Sequence, residues 1–159
     1  MDQRIRGYLE RVEASPADAP PLDEMERALA AAGAWNELVR VYEQLLRARP
    51  DDADLIARGA RVLEEKLADT ARAEVWLRRL LEAAPNEAPT RDRLVRIYRQ
   101  RRDERALCDL LEREAARAPT PEQAADAYCL LGENLVELGA QARAVEMWQR
   151  ALRLQPDHR

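Results

Sequence analysis

The sequence predicts an all-α protein: an array of four helix-turn-helix repeats preceded by one N-terminal helix. Three observations lead there. Ala, Leu, Arg and Glu dominate, all of them good helix formers, and no run alternates with the two-residue period of a strand. Pro50, Pro85, Pro119 and Pro156 punctuate the chain at intervals of 35, 34 and 37 residues, taken as differences of their numbers, and proline stops a helix rather than continuing it. Between these prolines, small and large apolar residues recur in one order, which is the mark of an internal repeat.

In chain order, residues 2–14 read as a first helix, with Ile5, Tyr8, Leu9 and Val12 on one face. That stripe needs a partner. Ser15, Pro16, Asp18, Pro20 and Pro21 then make a stiff polar connection. Residues 1–18 are therefore an N-terminal helix with its connection, a half repeat or a cap, and residues 19–159 are the repeat domain, divided at about 19–52, 53–87, 88–121 and 122–159.

With each closing proline numbered as position 32, the first repeat places Leu22, Met25, Leu29, Leu38, Tyr42 and Leu45 at positions 4, 7, 11, 20, 24 and 27, around a turn of Gly33, Ala34 and Trp35. Glu26 and Leu38 replace small residues at positions 8 and 20, so the two helices should stand further apart. The second repeat places Ile56, Gly59, Ala60 and Leu63 at 4, 7, 8 and 11, and Ala73, Leu77 and Leu80 at 20, 24 and 27, provided one extra residue sits in the turn around Leu67–Thr70. In the third, Leu94, Val95 and Tyr98 occupy 7, 8 and 11, and Leu107 and Leu111 occupy 20 and 24. Glu114 departs from the pattern at position 27, and Ala115 or Ala116 should take over its packing. The fourth is complete: Tyr128, Leu131, Gly132, Leu135, Ala144, Trp148 and Ala151 at 4, 7, 8, 11, 20, 24 and 27. Gly132 and Ala144 let helices over about 121–138 and 140–154 approach closely, Tyr128 and Trp148 supply buried area, and Gly139 and Pro156 end the two helices.

Across residues 19–156 these positions resemble the tetratricopeptide repeat family. The resemblance implies a right-handed superhelix, protein recognition without catalysis, and a partner peptide or protein held in a concave groove lined by first helices at positions 5, 9, 12 and 13. Position 9 is Arg27, Arg61, Arg96 and then Glu133; position 5 is Asp23, Ala57, Asp92 and Cys129. Three arginines at one repeat position form a ladder able to grip carboxylates in bidentate fashion. The alternative is that each is neutralised within its own helix, Arg27 by Asp23, Arg61 by Glu65 and Arg96 by Asp92. Chaperone-binding members of the family use a clamp of lysines and asparagines. Here the only lysine, Lys66, is not at such a position, and neither are Asn36, Asn86 and Asn134. Helical repeats of the HAT type stay open for repeats two and three, and pentatricopeptide repeats share nearly this period but bind RNA.

Charge opposes RNA: a net charge of −4 and a pI near 5.3 leave no broad phosphate-binding surface. Cys108 and Cys129 are 21 residues apart without a CxxC pair, which suggests neither a metal site nor a disulfide, but free thiols. The one histidine, His158, is near the end and the one serine, Ser15, is in a connection, so no catalytic residue, metal or cofactor is expected. No run of 18 apolar residues or leader pattern is found, so the expected location is the cytoplasm, away from any membrane. The last helix carries a wider apolar arc than one partner helix covers. Val145, Leu152 and one side of Trp148 should therefore stay open to water in a monomer, as an edge for a second copy in a homodimer, for a partner helix, or for further sequence.

Overall fold

In a computed structural model of the chain, residues 3–15, 20–85 and 87–156 are described, and the side chain of Arg4 is left aside. Most of the proline-rich connection, Asn86 and His158 lie outside the described residues. Those residues form nine α-helices and no strand: α1 Gln3–Ala14, α2 Leu22–Ala31, α3 Trp35–Ala48, α4 Ala53–Glu65, α5 Thr70–Ala83, α6 Ala88–Arg101, α7 Glu104–Arg117, α8 Pro121–Leu138 and α9 Gln141–Leu154. They sort into two compact units, Met1–Leu94 and Val95–Arg159.

The punctuation works as the sequence implies. Helices α3, α5, α7 and α9 each stop two residues before Pro50, Pro85, Pro119 and Pro156, because the residue preceding proline is pushed out of the helical region. Asp52, Asp69, Asp103 and Thr120 cap the starts of α4, α5, α7 and α8 by accepting from a backbone N–H three residues on, at 3.0 to 3.2 Å. Helix α9 begins at Gln141, one place later than the expected start, and Ala140 is its cap residue.

Inside each repeat the turn is built one way. Its second helix is entered through an N–H that bonds back to the last turn of the first: Ala34 to Leu29, Asp103 to Tyr98 and Ala140 to Leu135, each five residues apart by their numbers, at 2.8 to 2.9 Å. In the second repeat the equivalent bond runs from Asp69 to Leu63, six residues apart. The extra residue lies where the proline spacing puts it. One residue in each turn is left-handed: Gly33 and Gly139, but also Ala68 (φ 51°) and Arg102 (φ 54°), whose Cβ makes that conformation costly.

In the first unit the α1 stripe is buried against α2 and α3, with Val12 fully covered. Met25, Leu29, Leu38 and Tyr42 fill the α2–α3 pair, and Ile56, Ala60, Leu63, Ala73, Leu77 and Leu80 fill α4–α5. A glycine of the first helix makes room for a tryptophan of the second: a Cβ on Gly59 would collide with the Trp76 ring.

The second unit repeats the device, with Gly132 under the indole of Trp148, and α8 and α9 meet along far more of their length than α2 and α3. Leu131, Leu135, Ala144 and Ala151 close their core. Ala115 takes over from Glu114 in α7 and packs with Ala124, Ala127 and Tyr128, whereas Ala116 faces solvent. One expectation needs correcting: Tyr128 is only half-buried. Trp148 is 36% exposed, with one side packed over Gly132 and the other open to water as the width of the apolar arc implies.

Candidate functional site

One group of arginines fastens helices together. In the first unit Arg58 of α4 donates to both oxygens of Glu26 on α2 at 3.1 and 3.0 Å, to Asp54 of its own helix at 2.8 Å and to Asp23 at 3.4 Å. Tyr42 of α3 donates to the same Glu26 at 2.7 Å. The carboxylate at position 8 thus replaces the close helix approach with a polar knot shared by three helices, a group the sequence reading did not foresee. The hydrogen bond to Glu26 holds the Arg58 guanidinium above its ordinary pKa although burial opposes it. Burial first, then the bond to Glu26, pushes the Tyr42 hydroxyl above its own ordinary value.

Similar bridges recur: Arg40 of α3 to Glu13 of α1, Arg72 of α5 to Glu43 of α3, and Arg93 of α6 to Glu64 of α4 in the first unit. Arg99 to Glu137, Arg143 to Glu104 and Arg150 to Glu112 do the same in the second.

The predicted set is not part of that group, and it shares its lack of an ion pair among the described residues with other exposed arginines such as Arg47, Arg105 and Arg113. Arg27 and Arg61 in the first unit and Arg96 in the second are all exposed, and none of them forms an ion pair among the described residues. The expected pairs within helices are absent. Asp23 turns to Arg58 and leaves Arg27 to donate to the Asp23 carbonyl at 3.0 Å. Asp92 pairs with neighbouring Arg91 at 3.0 Å instead of Arg96. For Arg61 and Glu65 the order along the helix, cation before anion, is the weaker one.

The other position-5 and position-9 residues sit as follows. Asp92 and Glu133 are exposed, and Cys129 is half-buried. Burial raises the Cys129 thiol above its ordinary pKa, with Glu133 and Asp126 adding to the shift. Cys108 is buried and its Sγ lies 3.3 Å from Arg143, which offsets only part of the upward shift that burial causes. Both cysteines are free, and neither is an activated thiolate. Among the described residues no group of three or more His, Cys, Asp or Glu side chains could hold a metal ion. No helix among the described residues is long and apolar enough to cross a membrane.

On α9, Val145 is 47% and Leu152 50% exposed, flanking Trp148 on the same face.

Comparison with known proteins follows the same lines. Residues 125–158, a span of 34, match the family model described as a tetratricopeptide repeat. No curated protein matches the chain. Among solved structures, a crystal structure of MamA protein is 18% identical with a TM-score of 0.53, covering 85% of this chain and 72% of that one. A second crystal structure of MamA is also 18% identical, with a TM-score of 0.52 over 96% of this chain and 86% of the other. A MamA RS-1 double mutant is 24% identical at a TM-score of 0.50, covering 85% and 74%. At these identities the likeness is one of fold. Residues 125–158 thus match a tetratricopeptide repeat, and the chain shares its all-α fold with these MamA structures.

Proposed function

We propose that the chain is a non-catalytic protein-interaction scaffold whose repeat region, residues 19–159, binds an acidic segment of a peptide or partner protein on the exposed faces of its first helices, with residues 1–18 as a cap. The observation that carries this reading is positional: among the exposed arginines without a carboxylate partner, three recur at one place in three successive repeats. Arg40, Arg58, Arg72, Arg93, Arg99, Arg143 and Arg150 are engaged by carboxylates. Arg27, Arg61 and Arg96, at one repeat position, are exposed without a carboxylate partner. A free guanidinium offers a planar fork of donors to an incoming carboxylate, and such charge-assisted bonds are stronger than neutral ones. Asp92, Cys129 and Glu133 would border the same faces and set which side chains of the ligand are accepted.

The test replaces Arg27, Arg61 and Arg96 together by Gln and measures binding of a panel of Glu- and Asp-rich peptides by fluorescence anisotropy. Three lost surface contacts of ~0.5 kcal/mol each should weaken binding about tenfold, with helicity unchanged. Added salt should weaken the parent in the same direction. Equal binding by parent and triple variant would sink the proposal.

A second reading is self-assembly through the α9 edge, favoured by the exposure of Val145, Trp148 and Leu152. Light scattering of the purified chain tests it. RNA binding has no comparable observation behind it, and a gel shift would have to show retardation that fades with salt to revive it.

A further inference from the structure

Building on the self-assembly reading, we infer that α9 pairs with α9 of a second copy, antiparallel and across a two-fold axis near Trp148 and Gln149. The stripe itself shows that it is made to be covered. Val145, Trp148 and Leu152 stand 37 residues after Cys108, Leu111 and Ala115, by subtraction of their numbers. Within the same unit that α7 stripe is buried: Cys108 lies against Arg143 of α9, and Ala115 clusters with Ala124, Ala127 and Tyr128 of α8. The corresponding residues of α3, Val39, Tyr42 and Leu46, are buried as well. Only the α9 version, among these three, faces water.

Charge singles out a second copy as the occupant. Residues seven apart on a helix return to within about 20° of the same direction, so Glu146 and Arg153 share one flank of the stripe. Two turns separate them, too far for a mutual ion pair. Neither has a charged partner among the described residues; Arg153 donates only to the Gln149 carbonyl, at 3.2 Å. In an antiparallel pair, residues meet when their numbers have nearly the same sum. Val145 with Leu152 gives 297, Trp148 with Gln149 gives 297, and Glu146 with Arg153 gives 299. One register therefore opposes Val145 to Leu152, brings the two tryptophans together at the axis, and sets each Glu146 opposite the other copy's Arg153. Such a contact is isologous and closes on itself. Being one helix pair, it is smaller than a standard interface of ~800 Å² per partner, so the dimer should come apart on dilution.

Sedimentation velocity over a wide concentration range tests the register, with circular dichroism confirming that each variant keeps its helices. Leu152→Glu should abolish dimers. Glu146→Arg and Arg153→Glu should each weaken dimerisation about tenfold, since each replaces two attractive pairs by two repulsive ones. Mixing those two charge variants should restore a heterodimer, because one copy then presents arginine at both positions and the other glutamate. A parent that stays monomeric at its highest concentration overturns both the self-assembly reading and this geometry. A dimer that ignores Leu152→Glu, or charge variants that do not recover on mixing, keeps self-assembly and overturns the register.

Discussion

Trp76→Ala should destabilise the protein more than Trp148→Ala, although Trp148 belongs to the repeat with the complete signature. Each tryptophan lies against a glycine of the preceding helix, Gly59 or Gly132, so each fills a volume that nothing else reaches. Trp76 is 9% exposed, and truncating a buried aromatic of this kind costs ~3 to 5 kcal/mol. Trp148 is 36% exposed, a difference of 27 percentage points from 36 minus 9. On a side chain of up to ~250 Å² that difference is ~65 Å² already in water, or about 1.6 kcal/mol at ~25 cal/mol per Å². The Trp148 variant should therefore lose only ~1.4 to 3.4 kcal/mol. Urea unfolding followed by circular dichroism, at a dilution where the chain is monomeric, gives both values. Because repeat arrays can lose two-state behaviour, each midpoint should be taken from the transition that the substitution moves. A loss for Trp148→Ala equal to or greater than that for Trp76→Ala would refute the burial argument.

Two further outcomes follow from backbone and proton geometry. Ala68→Gly and Arg102→Gly should each stabilise the fold by ~0.5 to 1 kcal/mol, since glycine already fills the left-handed place in the other two turns; a lower urea midpoint for either would count against it. The Tyr42 hydroxyl is held above its ordinary value, so the native state keeps this proton more tightly than the unfolded chain does. Its stabilising contribution is therefore complete below about pH 10 and is lost as pH rises above that value. Tyr42→Phe should cost ~1 kcal/mol at neutral pH and flatten that alkaline decline, and urea midpoints between pH 8 and 11 would show an unchanged slope if the bond to Glu26 did not matter.

Packing within a repeat was legible because few residues can do it. The α8 bounds, the left-handed Gly139, the α1 stripe and the place of the extra turn residue all follow from periodicity and from proline and glycine chemistry. Trp76 was hidden by the signature itself, which assigns position 24 to Leu77. The clue was a spacing: Gly59 to Trp76 is 17 residues and Gly132 to Trp148 is 16, and the one-residue insertion in the turn accounts for the difference. The salt bridges were misjudged for another reason. An exposed pair within one helix is worth only ~0.2 to 0.5 kcal/mol, while helices packed ~8 to 10 Å apart lie within an arginine's reach of one another. A group on the neighbouring helix therefore competes successfully, as Arg58 of α4 does for Asp23 of α2.

The same competition explains why the division between structural and available arginines could not be read along the chain. Arg58 and Arg61 stand less than one turn apart on α4, each with an acid four residues away, Asp54 behind one and Glu65 ahead of the other. Local sequence makes them near equivalents. What separates them is α2, where Glu26 takes a place that the repeat pattern reserves for a small residue and so brings a carboxylate into the path of Arg58. Once Arg58 has collected Glu26, Asp54 and Asp23, the acid that should have neutralised Arg27 has been drawn away as well. A single departure from the pattern at position 8 thereby ties down one arginine and leaves the carboxylate-free guanidinium of Arg27 on the exposed face. Replacing Glu26 by Ala should reverse this order, returning Asp23 to Arg27 and weakening the binding of acidic peptides through Arg27 even though Glu26 touches no ligand. Anisotropy with the same peptides would show it, and undiminished binding by the variant would mean that Asp23 stays with Arg58 when Glu26 is gone.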